Sequence, residues 1–523
     1  MLGIIALSAL PLRAEDRTVQ LPARESYRKP YDTWNSESVE NDEFQRLIKI
    51  TVSPAKFPYP LLKYRFNAVS SELESGNAAP LYSQAWAEHE RIYAELEKNW
   101  YASNEYFELK KSGASEDQIF NELFRAVPLE PAWPNSFPKS VTPEEEAKFY
   151  KSMERVYLLL EKASRMRTAD WSYCMEYKGI ATNLEHLQNT RGLARYLSGK
   201  ADWEIRNGRY EDAIKTLRIG IAMGNHVAKA NFPTLIGMLV GIAIQGIMES
   251  HIMELEAQPD APNLYPALTQ IVFPGDSFQY ALQGERFFPF ATSNAMPIFE
   301  NIEKASADEC RVRLENVVAT FLQVQNNYWL TPPEKTRVAA AMAMVCTVCY
   351  PSGRDRLLAE GVKPEDVEKM TVYQVVSPFV LQKISEAYDR MQVAASFPPG
   401  SSHTAIDFEE PNCQKVHSPV DAYLMLLMPA IDAAQRASIR MQQMYELHKI
   451  VEAIRYYAAV HDGRLPESLG AIKEVPVATI DPMSGKPFGY RVEGRTVKID
   501  FTHTGKCRLE ITVQENAEGK AEK

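Results

Sequence analysis

The chain has 523 residues, beyond the roughly 250 to 300 at which one hydrophobic core stops growing, so two or three packed units are expected. Hydrophobic residues make up 45% and charged residues 24%, a balance that argues against a disordered chain and against a multi-span membrane protein. With 58 Lys plus Arg against 68 Asp plus Glu the net charge is -10, the wrong sign for tracking a phosphate backbone, so nucleic acid is not an expected partner.

The first element is a largely apolar run from Leu2 to Leu10, followed by Pro11 and by Ala14 directly before Glu15 and Asp16. It has the length of a signal-peptide core and ends in a small residue where a peptidase would cut. We read residues 1–14 as a signal peptide of an exported protein, periplasmic or associated with the cell envelope. No transmembrane span is expected after its removal.

Residues 15–57 are polar, with Pro22, Pro30 and Pro54, and read as an irregular arm. A helical body is expected over 58–417. Tyr82, Trp86, Trp100, Tyr101 and Tyr106 crowd its first part, which fits either an interface or burial. At Thr142-Pro143-Glu144-Glu145, Thr142 and Glu145 form a capping box with Pro143 at the first helical position. Phe149, Met153, Val156, Leu160 and Ala163 then recur at spacings of four and three and mark one buried stripe. Residues 190–225 contain two helical runs separated by Asn207-Gly208, which predicts an antiparallel hairpin. Leu235 to Ile244 is unbroken by polar side chains and has the length of a core helix. Gly237 and Gly241, four apart, would let another helix approach closely. Further helices are expected over 310–329, 334–349, 364–396 and 418–461.

Met444, Leu447, Val451, Ile454 and Ala458 form the buried stripe of the last helix, which Gly463 ends. Short β-leaning runs follow at Tyr490 to Val492, Thr496 to Phe501 and Arg508 to Val513, the first two joined across Glu493-Gly494. The expected fold is mainly α: a helical-hairpin body with a small C-terminal antiparallel β-sheet following a long helix. The last unit spans 418–513, and residues 514–523 are a polar tail.

Three resemblances are carried by these segments. "NGRYEDAIKTLRIGI" resembles the turn and second helix of a tetratricopeptide repeat, in one unit only. Gly463, Arg464, Leu465, Pro466, Asp481, Pro482, Gly485, Pro487 and Tyr490 resemble the helix-to-sheet end of type II secretion pseudopilins. The membrane helix and processing site of those proteins have no counterpart at Met1 to Ala14. In patches from about residue 58 to residue 500, notably "YPLLKYRF", "GNAAPLY", "GRYEDAIKTL" and "TLIGMLVGIAI", the chain resembles a group of uncharacterised exported helical proteins typical of planctomycete-like bacteria. That resemblance implies a secreted helical protein with no assigned activity and no transferable site residues.

Few residues offer chemistry. Cys346-Thr347-Val348-Cys349 is the one CxxC, a thiol pair or a disulfide at the end of an apolar run. Gly400-Ser401-Ser402-His403 with Asp407 supplies triad residue types on a loop but lacks a nucleophile elbow. His448 and Glu452 share a helix face and read as a surface pair. Asp481 could ligate calcium by analogy with pseudopilins, although one carboxylate does not make a site. No cofactor is indicated. The expected function is non-catalytic: an exported protein-binding or scaffold protein with a protein or peptide partner in the cell envelope. The alternative is an envelope enzyme of unrecognised type, dependent on the thiols.

Overall fold

A computed structural model describes residues 31–34, 44–115, 142–171, 184–230, 233–274, 278–287, 298–299, 301–325, 335–394, 419–503 and 505–515. The signal-peptide segment and the 400–407 loop lie outside the described residues. In chain order the elements begin with strands β1 (Tyr31–Trp34), β2 (Arg46–Val52) and β3 (Glu74–Asn77). Helices α1 (Ala79–Tyr101), α2 (Asn104–Lys111), α3 (Pro143–Ser152) and α4 (Glu154–Ser164) follow, then strand β4 (Met166–Thr168). The body continues with α5 (Glu185–Arg206), α6 (Tyr210–Ala228), α7 (Leu235–Glu256), α8 (Tyr265–Leu268) and α9 (Phe278–Phe287). It closes with α10 (Ala307–Gln325), α11 (Lys335–Ala359), α12 (Pro364–Val367) and α13 (Val372–Ala394). Last come the long α14 (Pro419–Val460) and strands β5 (Gly489–Glu493), β6 (Thr496–Thr502) and β7 (Lys506–Val513).

The capping box forms: Thr142 accepts from the Glu145 amide and Glu145 from the Thr142 amide. Phe149, Met153, Val156, Leu160 and Ala163 are all buried, although the helix breaks at Met153 and divides into α3 and α4. Gly208, at φ 71, turns α5 into α6, and α6 then packs on α7 with almost no side chain between them. A Cβ on Gly241 would stand 2.5 Å from the Gly224 carbonyl oxygen, and one on Gly224 would stand 2.8 Å from that of Gly241. The expected close approach at Gly237 and Gly241 therefore has its partner in α6. α7 is long and apolar enough to cross a membrane by composition alone, yet most of its residues are buried within the protein, among them the polar or charged Gln245, Glu249, His251, Glu254 and Glu256.

The sheet departs from expectation. It has five strands in the order β1-β2-β7-β6-β5, and β2 lies parallel to β7 while the other pairings are antiparallel. The purely antiparallel sheet and the wholly irregular 15–57 arm are thus corrected: the arm supplies two strands. The cause is visible in Ile48, Ile50 and Val52, which alternate inward and join the face that Val497, Ile499, Leu509 and Ile511 present to α14. Two further helices differ from their expected spans. α11 runs on through Pro351 to Ala359, and 364–396 is divided into α12 and α13. Gly353 lies in the added stretch: a Cβ there would stand 2.8 Å from the Val375 carbonyl oxygen, so its absence lets α11 lie directly against α13.

Two apolar cores result. The larger is shared by α1 to α11 and α13; the smaller lies between the sheet and the second half of α14. α14 serves both, since Met441 and Tyr445 belong to the first and Met444, Leu447, Ile450, Val451 and Ile454 to the second. Met253 and Tyr265 of the helical body complete the smaller one.

Candidate functional site

The seam between the cores is built from α7 and α14, and it is charged. His448 of α14 is fully buried, with Nε2 2.6 Å from Glu249 Oε1 and Nδ1 2.9 Å and 3.0 Å from the two carboxylate oxygens of Glu256. Both ring nitrogens face acceptors, so both must carry protons and the ring is an imidazolium. Burial alone would disfavour that charge, but the Glu256 and Glu249 carboxylates outweigh it and hold the His448 pKa up at about 10. One and two turns further on stand Glu452 and Arg455, also fully buried and paired at 2.8 Å. Burial pushes the Glu452 carboxyl upward, against the opposing pull of Arg455.

Arg455 spends its remaining donors on backbone. Nε donates to the Ser53 carbonyl at 3.0 Å, Nη2 to Ala261 at 2.8 Å and Nη1 to Pro262 at 3.3 Å. Asn263 donates to the carbonyls of Ala55 and Glu452. The end of β2, the loop after α7 and the last turns of α14 are thereby joined at one point. His448 and Glu452, expected as a surface pair, are corrected to the centre of a buried network. They do share a helix face at i and i+4, but the acidic partners of His448 lie 192 and 199 residues away in the chain, beyond any local signal.

A second polar group is buried between α5 and α7. Ser198 Oγ of α5 is 2.7 Å from His251 Nε2 of α7, and His251 Nδ1 is 2.7 Å from Glu254 Oε2. The residue types and their order match a hydrolytic triad. Ser198, however, sits in the middle of a helix, where the backbone amides that would form an oxyanion hole are consumed by the helical ladder, and all three residues are buried. The group joins α5 to α7 by satisfying polar atoms in the core.

Of the residues singled out from sequence, those among the described residues do not converge. Cys346 and Cys349 stand one turn apart on α11 as reduced thiols, Cys349 buried and Cys346 partly so. Burial raises the Cys346 pKa, the opposite of what an attacking thiolate needs. Asp481 is buried, and its carboxylate is occupied by four donors: Gln443 Nε2 at 2.6 Å, the Met483 amide at 3.0 Å, Ser484 Oγ at 2.8 Å and the Thr502 amide at 3.1 Å. It fastens the 481–485 turn to α14 and β6 through these donors. Among the described residues no group of three or more His, Cys, Asp or Glu side chains is placed to hold a metal.

Among the described residues, one cleft of ≈ 530 Å³ opens to solvent beside the charged seam. One wall is the extended segment Pro476, Val477, Ala478, Ile480 and Pro482; the other is the α14 face bearing Gln442, Glu446 and Lys449. Tyr265 lies between them, its hydroxyl donating to the Pro476 carbonyl. Glu446 and Lys449 pair at 2.8 Å, so the polar wall carries no net charge. Ile480 is 49% exposed. The Phe488 amide donates to the Thr479 carbonyl at 3.0 Å and Ile480 bridges to Pro487, and these contacts, with the 481–485 turn, set the path of the apolar wall.

No protein-family model matches the chain, and no curated protein and no solved structure matches it significantly.

Proposed function

We propose that this chain is a non-catalytic, exported protein of the cell envelope that binds a protein or peptide partner in the cleft between α14 and the 476–482 segment. One observation carries the reading: among the described residues the His448 and His251 groups are buried and taken up by their own partners, whereas the cleft presents an apolar wall and a neutral polar wall to solvent. An open cleft with an apolar wall beside a few polar groups suits an extended peptide segment, whose side chains take the apolar wall. The signal-peptide-like start and the likeness of the 463–490 segment to pseudopilins support an envelope setting. The alternative, an enzyme working through Cys346 and Cys349, is weakened by the raised Cys346 thiol.

The test is affinity capture of the mature protein from the cell envelope with crosslinking, run in parallel with Ile480→Asp. A charge placed on the apolar wall is expected to lower recovery of a reproducible partner about tenfold or more, the effect of losing one buried apolar contact. Absence of any reproducible partner, or undiminished recovery with Ile480→Asp, would contradict the proposal.

A further inference from the structure

Beside the cleft the chain carries a segment with the chemistry of an occupant. Residues 57–62 read Phe-Pro-Tyr-Pro-Leu-Leu, with no acid or base among them. Tyr59 is 96% exposed and Leu61 54%. Tyr59 is the most exposed of the large apolar side chains among the described residues, and Leu61 stands beside it at the same loop tip. The loop is not loosely attached. The Lys63 amide closes a turn on the Pro60 carbonyl at 2.8 Å, and Lys63 Nζ pairs with Glu211 at 2.6 Å. At its other end the Phe57 ring stacks on Tyr456 at 3.8 Å and on Tyr265 at 5.9 Å.

Tyr265 also lines the cleft. Loop and cleft are therefore neighbours on one surface, which is the arrangement a two-fold axis requires: each copy offers the projection and receives it within one patch. Their electrostatics agree as well. An uncharged loop meets a cleft whose only charged side chains, Glu446 and Lys449, neutralise each other. Resting on the cleft reading above, we propose that the Tyr59–Leu61 loop enters the cleft of a second copy of this chain, reciprocally, and that the two form a dimer. Tyr59 and Leu61 pack on Val477, Ala478 and Ile480, and Pro58 and Pro60 restrict the entering backbone so that little freedom is lost on docking. Reciprocity doubles a contact that would be too small to hold a dimer if made once.

Sedimentation equilibrium of the full mature chain tests this, with Tyr59→Ser/Leu61→Ser and Ile480→Asp as separate variants and circular dichroism as the check on folding. The two loop side chains are exposed and contribute little to their own molecule's core, so the loop variant keeps the fold. A dimer is expected for the unaltered chain, weakened on the order of 30-fold or more by either variant. A peptide of residues 56–64 is expected to dissociate it. A monomer at every concentration, a dimer indifferent to both variants, or a loop that binds phospholipid vesicles while the chain stays monomeric would each overturn the proposal. In those cases capture of an envelope partner through Ile480 would still stand, so failure of the dimer is distinguishable from failure of the binding site.

Discussion

His448 shows what a single side chain contributes to this fold. Its imidazolium is balanced by Glu249 and Glu256, and removing it as His448→Ala takes away the charge that both buried carboxylates face. A loss of about 3–5 kcal/mol of stability is expected, the usual consequence of breaking a buried ion pair from one side, measurable by urea unfolding. The sign of the pH dependence follows from the raised pKa. The folded state holds the His448 proton more tightly than the unfolded chain, whose value is near 6.5, so the contribution is complete below pH 6.5 and is lost as pH rises through about 10. The stability difference between the natural chain and His448→Ala should therefore shrink between those limits; a difference that is flat or grows would contradict the assignment. Arg455→Lys should cost about 3 kcal/mol or more, because an ammonium cannot reproduce a planar fork serving Glu452 and three carbonyls. None of this was legible in the sequence. His448 and Glu452 show only their helical spacing there, and their burial depends on the charged end of α7 arriving from elsewhere in the chain. Ser198 escapes notice for the same reason, 53 residues from His251, while His251 and Glu254 show only a helical spacing of three.

At the scale of elements, local rules did much better. The capping box at Thr142 and Glu145, the stop at Gly463, the hairpin at Gly208 and the buried stripe of α14 are each written in residues within a few positions of one another. Gly237 and Gly241 announce a close helix crossing, although not that α6 with Gly224 would supply it. Paired substitutions on α7 test that crossing. Gly241→Ala places a methyl 2.5 Å from a backbone oxygen and should destabilise by about 1–3 kcal/mol despite the better helix propensity. Gly246→Ala meets nothing nearer than the Met441 Cε at 3.4 Å and should be neutral or stabilising by up to about 1 kcal/mol. Thermal unfolding of both decides the matter, since loss of stability at both positions, or at neither, would rule out the close packing. Helix ends fared worst. The helix expected over 334–349 runs on through Pro351 to Ala359, where Gly353 lies against α13.

Over the whole molecule, the feature least visible in the sequence is the return of the N-terminal arm into the C-terminal sheet. Ile48, Ile50 and Val52 alternate as a strand should, but a short strand parallel to β7 has no hairpin turn to announce it. The consequence is that the C-terminal unit is not self-sufficient. A fragment of residues 419–515 lacks β2, Met253 and Tyr265 from its core and leaves the β7 edge open. Limited proteolysis should degrade it rapidly, whereas the full chain should resist in the same region; a resistant fragment would show that the sheet stands alone. The same interdependence places the cleft, whose floor comes from the helical body and whose walls come from α14 and the segment leading into the sheet. Binding at this junction is most directly measured by incorporating a photo-reactive amino acid at position 480 in the living cell, with position 344 on the outer face of α11 as the comparison. Irradiation should yield a discrete crosslinked species from position 480 and none from position 344. Equal adducts from both positions, or none from position 480, would contradict binding in the cleft.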